Sequence, residues 1–388
     1  MEQLQGYRRP DGRWGVRNHV LVLPLHSAAN LAAERMAEGI SGAVSVGHQW
    51  EAAEVDPDRE RIASTLAGFA ANANCYATVL VGIQKADTTI ANAAVRLGGR
   101  IHLIAMADNR GTSGTVAAGR PLVERLTAEA AQQQREPMPV SGLVLGLECG
   151  GSDALSGITA NPALGVASDL LVAAGGTSIL AETPELIGAE HLLAARAVTP
   201  EVGRRIIQVI TRFEEAIRDL GVDVRGAQPT PGNQAGGLTT IEEKSLGAAK
   251  KGGDSPVTEV VGFAEPTGGP GLYIMDTPGH DIEQMVGMVA GGANLAAFTT
   301  GRGTPTGSAI TPVLKIATNS AIFERLEGDI DLNAGAILDG GETLESMGNL
   351  IYRRLLEVAN GELTSSERRG NREFAISRTV SPMTAFSG

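Results

Sequence analysis

The stretch from Leu143 to Gly165, LVLGLECGGSDALSGITANPALG, leaves little freedom in how this chain can fold. It opens as an apolar run of strand length and breaks at a turn crowded with Glu148, Cys149, Gly150, Gly151, Ser152 and Asp153. Small and hydroxyl-bearing residues follow. A buried strand that delivers polar groups into a glycine turn is how α/β proteins present chemistry at the carboxyl end of a parallel sheet. Two adjacent glycines let backbone N–H groups face a ligand, so an anion can be held there without a lysine. As local pattern alone, the turn reads equally well as a tight connection capped by Ser152 and Asp153.

Strand and helix patterns alternate on both sides of this stretch. Strands are expected at 19–25, in the AVSVGH segment ending at His48, at 78–84 and at 101–106, with helices near 29–39, from Asp56 as N-cap, and at 86–97. Such alternation implies parallel strands joined by right-handed crossovers. Residues 1–135 are therefore expected to form one open α/β domain, with 136–142 as a linker and 143–388 as a second. Strands at 177–182, 271–277, 295–301 and 312–318 belong to the second series, with an amphipathic helix from Thr199-Pro200 to Gly221 and another helix near 343–359. The fold class is α/β, with two open, mostly parallel Rossmann-like sheets and flanking helices. Between Arg225 and Pro256 the periodicity lapses, and a long glycine-rich loop covering a ligand is expected at 225–256.

Composition excludes several functions. A net charge of −12 argues against nucleic-acid binding and against an anionic membrane surface. Cys75 and Cys149 are the two cysteines, too few for a disulfide framework. With no signal-like amino terminus and no run of 18 apolar residues, a cytoplasmic protein is expected. No G-x-G-x-x-G follows the first strand, and Walker, H-E-x-x-H, C-x-x-C and G-x-S-x-G motifs are absent, so neither NAD nor ATP is expected.

What remains at the expected strand ends suits proton abstraction beside a carboxylate. Arg302, in TTGRGTPTG, is the natural partner of a substrate carboxylate, together with the amides of Gly150 and Gly151. Arg17, among the amino-terminal arginines Arg8, Arg9, Arg13 and Arg17, is a further candidate; such arginines otherwise form a solvated basic arm. Ser152, Ser156, Asn161, Thr299 and Thr300 offer hydroxyl and amide groups to the substrate. His48 is the candidate base, since neutral imidazole accepts a proton near pH 7, or else a hydrogen-bonded turn histidine. Glu148 and Asp153 are candidate acids or metal ligands, or caps and ion-pair members. Lys244 neutralises leaving-group charge or is a solvated loop lysine.

LECGGSDALSGITANPALG, GNQAGGLTTIEEKSLG, GLYIMDTPG, FTTGRGTPTG and DIDLNAG, together with the opening GYRRPDGRWGVRN, resemble in sequence and order the large domain of the altronate and galactarate dehydratase family. The resemblance implies a lyase that removes water from a 2-hydroxy or sugar acid through an enediolate to give a 2-keto acid, or, as in sulfolactate sulfo-lyase, expels sulfite. It also implies a separate small SAF-type subunit, a homo-oligomer, and a divalent metal such as iron, manganese or magnesium. Family members carry cysteines where this chain has VGHQWE, GIQKAD and Ala248, so oxygen and imidazole ligands, His48, Glu148, Asp153 and Glu182, are expected to hold any metal. Two rival readings remain: a metal-free epimerase that returns the α-proton, and a noncatalytic large subunit that binds such an acid.

Overall fold

The computed structural model describes residues 3–51, 56–84 and 88–378. Fourteen strands are assigned among these residues: β1 Gln5–Arg8, β2 Trp14–Gly15, β3 His19–Pro24, β4 Ala43–Ser45, β5 Cys75–Gly82, β6 Ile101–Ala105, β7 Glu136–Pro137, β8 Val144–Gly150, β9 Thr177–Leu180, β10 Val257–Val261, β11 Gly271–Met275, β12 Leu295–Thr300, β13 Val313–Ala317 and β14 Leu332–Asn333. They form a four-stranded sheet of order β4-β3-β5-β6 and a seven-stranded sheet of order β10-β11-β9-β8-β12-β13-β14. Every pairing within these two sheets is parallel. Helices flank both, so the α/β class expected from the alternating pattern is the observed one.

A small third sheet, β2-β1-β7, is antiparallel and was not foreseen. It pairs Gln5 and Gly6 with Pro137 and Glu136, inside the segment read as a linker. The arginines around it make no basic arm. Arg9 donates to the carbonyl of Ala73 at 2.7 Å, and Arg13 pairs with Asp11 at 2.6 Å. Arg17 pairs with Glu367 at 2.6 Å and donates to the carbonyls of Val16, Val358 and Glu362. Buried among these acceptors, Arg17 is unable to serve as the substrate's carboxylate partner; it ties the amino-terminal turn to the carboxyl-terminal segment.

In the large sheet β8, β11, β12 and β13 are almost wholly buried, which their unbroken apolar sequences require of central parallel strands. Chain order reverses at β8: β9 lies on one side of it and β12 on the other. Loops leave such a point in opposite directions, opening a crevice at the strands' carboxyl ends. The site occupies that crevice. An apolar cluster spans both large sheets, joining Phe69 of helix Asp56–Ala70 to Met285 and Met288 of helix Asp281–Ala290. The two helices touch at Gly68, where a Cβ would fall 2.9 Å from the carbonyl carbon of Ala290. The side chain of Asp56, the expected N-cap, lies outside the described residues, as does the start of the segment expected at 86–97.

The expected loop at 225–256 is instead largely helical, with short helices at Val224–Ala227, Pro231–Ala235 and Ile241–Ala249 and a 3₁₀ turn at Lys250–Gly252. Each short helix begins on a polar cap: Asp223, Thr230 and Thr240 accept from the backbone amides of Arg225, Asn233 and Glu243. Helices this short show no hydrophobic period, which is why the pattern lapses there. No described helix is long and apolar enough to cross a membrane.

Candidate active site

Glu148 and Cys149 are the last residues of β8 before its terminal Gly150, with side chains excluded from solvent beneath the crevice. Directly beyond, Gly150 is obligatory on steric grounds: a Cβ there would lie 2.8 Å from Phe298 Cε2 and closer still to Asp281 Oδ2. Gly151 has φ +61, a left-handed conformation that glycine adopts without penalty. Its carbonyl accepts from the amide of Arg302 at 3.0 Å, locking the β8 turn to the β12 turn.

The adjacent strand β9 runs into Glu182, a non-glycine residue at φ 74. Such a backbone costs about 1–3 kcal/mol and persists only where neighbours impose it. Here the Thr277 hydroxyl accepts from the Glu182 amide at 2.8 Å, and the wholly buried Lys251 ammonium takes Oε2. The thiol of Cys149 lies 3.4 Å from Glu182 Oε2, 3.6 Å from Oε1 and 3.4 Å from Glu185 Oε2. Glu185 gives its other oxygen to Lys244 Nζ at 2.7 Å. One thiol and two carboxylates are thus gathered with ligand atoms within 4.8 Å of one another, the one such group among the described residues.

Gln284, from helix Asp281–Ala290, donates to Glu148 Oε1 and, at 3.1 Å, to Glu182 Oε1. Glu148 Oε2 and Gln284 Oε1 are buried with no hydrogen-bond partner among the described residues. Burial, reinforced by Asp281, holds the Glu148 carboxyl well above the usual range. Burial likewise pushes the Cys149 thiol up to about 12. Asp281 is raised by burial and by Glu185. Burial opposes the charge on Lys244, but Glu185 outweighs it and the lysine is held protonated.

Above this floor lies a cavity of about 290 Å³ lined by Gly150, Gly151, Glu185, Lys244, Asp281 and Arg302, with Gln228 and Thr230 from the junction between the first two short helices and Asn233 from the second of them. Arg302 is exposed and its guanidinium packs over Gly232; among the described residues it has no ion-pair partner. The segment read as a covering loop does line the cavity, although as helices.

Several expected site residues face elsewhere. His48 is buried with both ring nitrogens engaged: Nε2 donates to the Pro24 carbonyl at 2.9 Å, and Nδ1 accepts from the Trp50 amide at 3.2 Å. Burial lowers its pKa, which keeps the ring in this neutral tautomer. It neither lines the cavity nor joins the thiol and carboxylates, so the turn-histidine alternative describes it. Asp153 accepts from Ser156 Oγ at 2.8 Å, Thr318 Oγ1 at 2.9 Å and Asn319 Nδ2 at 3.1 Å. Those bonds make Asp153 and Ser156 the frame of the turn. Thr299 donates to Asn161 at 2.6 Å, and Asn161 to the Gly247 carbonyl at 3.0 Å, linking β12 to the helix that carries Lys244. Thr300 accepts from the Gly303 amide at 2.9 Å and shapes the arginine turn. Ser152 lines the cavity, its carbonyl held by Asn233 at 2.8 Å. The expected metal set His48, Glu148, Asp153 and Glu182 is therefore not assembled; Glu182 alone enters the cluster, and Cys149 and Glu185 replace the others.

Residues 6–131 match the second domain of D-galactarate dehydratase/altronate hydrolase, and residues 140–381 the carboxyl-terminal domain of D-galactarate/altronate dehydratase. This chain belongs to the D-galactarate/altronate dehydratase family. It is 33% identical over 383 residues to altronate dehydratase of Bacillus subtilis (strain 168), covering 96% of this chain and 77% of that protein. To the (2R)-sulfolactate sulfo-lyase subunit beta of Chromohalobacter salexigens it is 36% identical over 375 residues, 96% of each chain. To galactarate dehydratase (L-threo-forming) of Escherichia coli (strain K12) it is 42% identical over 241 residues, 62% of this chain and 46% of that one. The dehydratase family thus matches both large sheets, and the share of each relative covered is highest for a protein named as one subunit of an assembly.

Proposed function

We propose that this chain is a lyase that eliminates water, or sulfite, from a 2-hydroxy or sugar acid to give a 2-keto acid. The observation that carries this reading is the meeting, at one cavity, of a guanidinium with no ion-pair partner among the described residues, a glycine turn, and an acid/base cluster buried beneath it that reaches the cavity through Glu185. Arg302 and the Gly150–Gly151 turn hold the carboxylate. Asp281, made more basic by its burial, takes the α-proton. Lys244, protonated beside Glu185, stabilises the enediolate and gives a proton to the departing oxygen. Gln228 and Thr230 face the substrate's remaining hydroxyls.

A divalent metal fits the floor of this site. Cys149, Glu182 and Glu185 form a three-donor set of one sulfur and two oxygens, a mixture suited to iron, zinc or manganese rather than magnesium. When bound, such an ion supplies Lewis acidity for the substrate's carboxylate and hydroxyl. We further infer that a separate small SAF-type subunit completes the enzyme, as the relative named subunit beta suggests, and that the large chains form a homo-oligomer.

The test is an anaerobic assay of the full chain with a co-expressed small subunit, Fe²⁺ or Mn²⁺, and a panel of aldonates, aldarates and sulfolactate, following 2-keto acid by derivatisation. Release of water or sulfite with keto acid is expected. An epimerised acid with no keto acid, or binding without turnover, would overturn the lyase reading.

A further inference from the structure

Each carboxylate of the floor meets a lysine. Glu182 gives Oε2 to Lys251, and Glu185 gives Oε1 to Lys244. Glu185 Oε2 lies 3.4 Å from the Cys149 thiol; both oxygens of Glu182 lie beside it, Oε2 at 3.4 Å and Oε1 at 3.6 Å, and Oε1 also accepts from Gln284. Neither lysine is drawn from solvent by chance: the Lys251 side chain is 0% exposed and that of Lys244 9%. Lys251 approaches from the 3₁₀ turn after helix Ile241–Ala249, and Lys244 from that helix itself, so one short segment supplies both ammonium groups.

We infer that Lys244 and Lys251 set the charge of this centre, and Lys244 its coordination mode as well: Lys244 holds Glu185 Oε1 and leaves Oε2 as that residue's donor, and together the two lysines turn an anionic ligand set into one that attracts an anionic acid. This rests on the reading of Cys149, Glu182 and Glu185 as a metal site. A bound thiolate and two carboxylates outweigh the charge of a divalent cation by one; two ammonium groups reverse that sign. The lysines thereby weaken the hold on the cation and strengthen the hold on the substrate. Lys244 also keeps Glu185 from chelating through both oxygens, which leaves a coordination position open toward the cavity that Glu185 lines. Outer partners that orient ligand atoms in this way alter metal affinity by about 10–100-fold.

The decisive variant is Lys244→Met, because it lies at the cavity wall, with Lys244→Arg as its charge-retaining control. Mn²⁺ binding to the metal-free full chain is measured by calorimetry, and Co²⁺ loading by its near-ultraviolet thiolate band. Removing a neighbouring positive charge favours a cation, so relative to the unaltered chain Lys244→Met is expected to bind Mn²⁺ about tenfold or more tightly. Binding of oxalate, a planar dianion resembling an enediolate, to the Mn²⁺-loaded variant is expected to weaken about tenfold, with Lys244→Arg recovering most of it. Far-ultraviolet circular dichroism and the unfolding midpoint establish that each variant is folded. Should the variant bind Mn²⁺ no more tightly and oxalate as well as before, the role of the lysines is overturned while the metal site stands. Should the unaltered chain bind neither Mn²⁺ nor Co²⁺, both are overturned.

Discussion

Lys251 and Glu182 form an ion pair from which solvent is wholly excluded, their side chains being 0% and 1% exposed. Glu182 also sits at φ 74, so the pair holds a backbone that would otherwise relax. Removing one partner of such a pair leaves a buried charge without compensation, which costs about 3–5 kcal/mol. Lys251→Met and Glu182→Leu are therefore both expected to lower stability, since each leaves the other member of the pair buried without its counter-charge. The double variant Lys251→Met/Glu182→Leu is expected to recover much of the loss. Urea unfolding of the four proteins checks this; additive losses in the double variant would show that the pair is not coupled.

The Arg17–Glu367 pair gives a pH dependence with a definite sign. Burial alone would raise the Glu367 carboxyl, but hydrogen bonds and charge from Arg17, with help from Thr364, bring it below its ordinary value of 4.5. A carboxylate with a depressed folded pKa contributes stability that is present above the unfolded value and is lost as pH falls through the folded one. As pH falls below 4.5 and through the folded value the unaltered chain is expected to lose this contribution, and Arg17→Met to have lost it at every pH. The gap between their urea midpoints should close on acidification, and a gap constant with pH would refute the linkage. At pH 7 the variant is expected to be less stable by about 3–5 kcal/mol.

The strand-to-turn logic was readable because it is local. Apolar runs ending in polar turns placed Glu148, Glu182, Gly150, Gly151 and Arg302 at the carboxyl edge of one sheet, where they are found. What escaped was carried by elements without a strong pattern or by residues with an ordinary look. Helix Asp281–Ala290 follows a proline and a glycine and is buried along nearly its whole second half, so it shows no polar face to mark it, yet it supplies Asp281 and Gln284. Lys251 reads as one lysine in the pair KKGG, and its burial is decided by packing of helix Ala160–Ala173 against that turn. Glu185 lies in a 3₁₀ turn set by Pro184. His48 misled for the converse reason: a histidine at a strand's end looks reactive, and only the positions of the Pro24 carbonyl and Trp50 amide show that it is occupied.

Gly150 tests how closely the crevice is built. Gly150→Ala would press a methyl group against Phe298 Cε2, 2.8 Å away, and against the Asp281 carboxylate. The wall on one side is a buried ring and on the other the proposed base, so relief comes from displacing Asp281. Overpacking of this kind costs about 1–3 kcal/mol in stability. The expected kinetic effect is larger: kcat falls at least about 100-fold, because a displacement near 1 Å of a reacting group is enough for that. Unchanged kcat with a lowered unfolding midpoint would remove Asp281 from the reaction.

Arg302 offers the sharpest separation of binding from chemistry. Its guanidinium reaches the cavity over Gly232 and meets no counter-charge among the described residues, while its amide ties the turn to Gly151 at 3.0 Å. Substituting the side chain leaves that backbone bond in place, so the fold should be kept. A charge-assisted hydrogen bond to a carboxylate contributes about 1.5–3 kcal/mol, equivalent to a KM increase of about 10–100-fold. Arg302→Gln is expected to show that rise with kcat lowered less, since the carboxylate is held in ground state and transition state alike. Arg302→Lys should restore part of the affinity, as a point charge without the planar fork. Equal KM values for Arg302→Gln and the unaltered chain would mean that the carboxylate is read elsewhere, and the amides of the glycine turn would then be the first place to look.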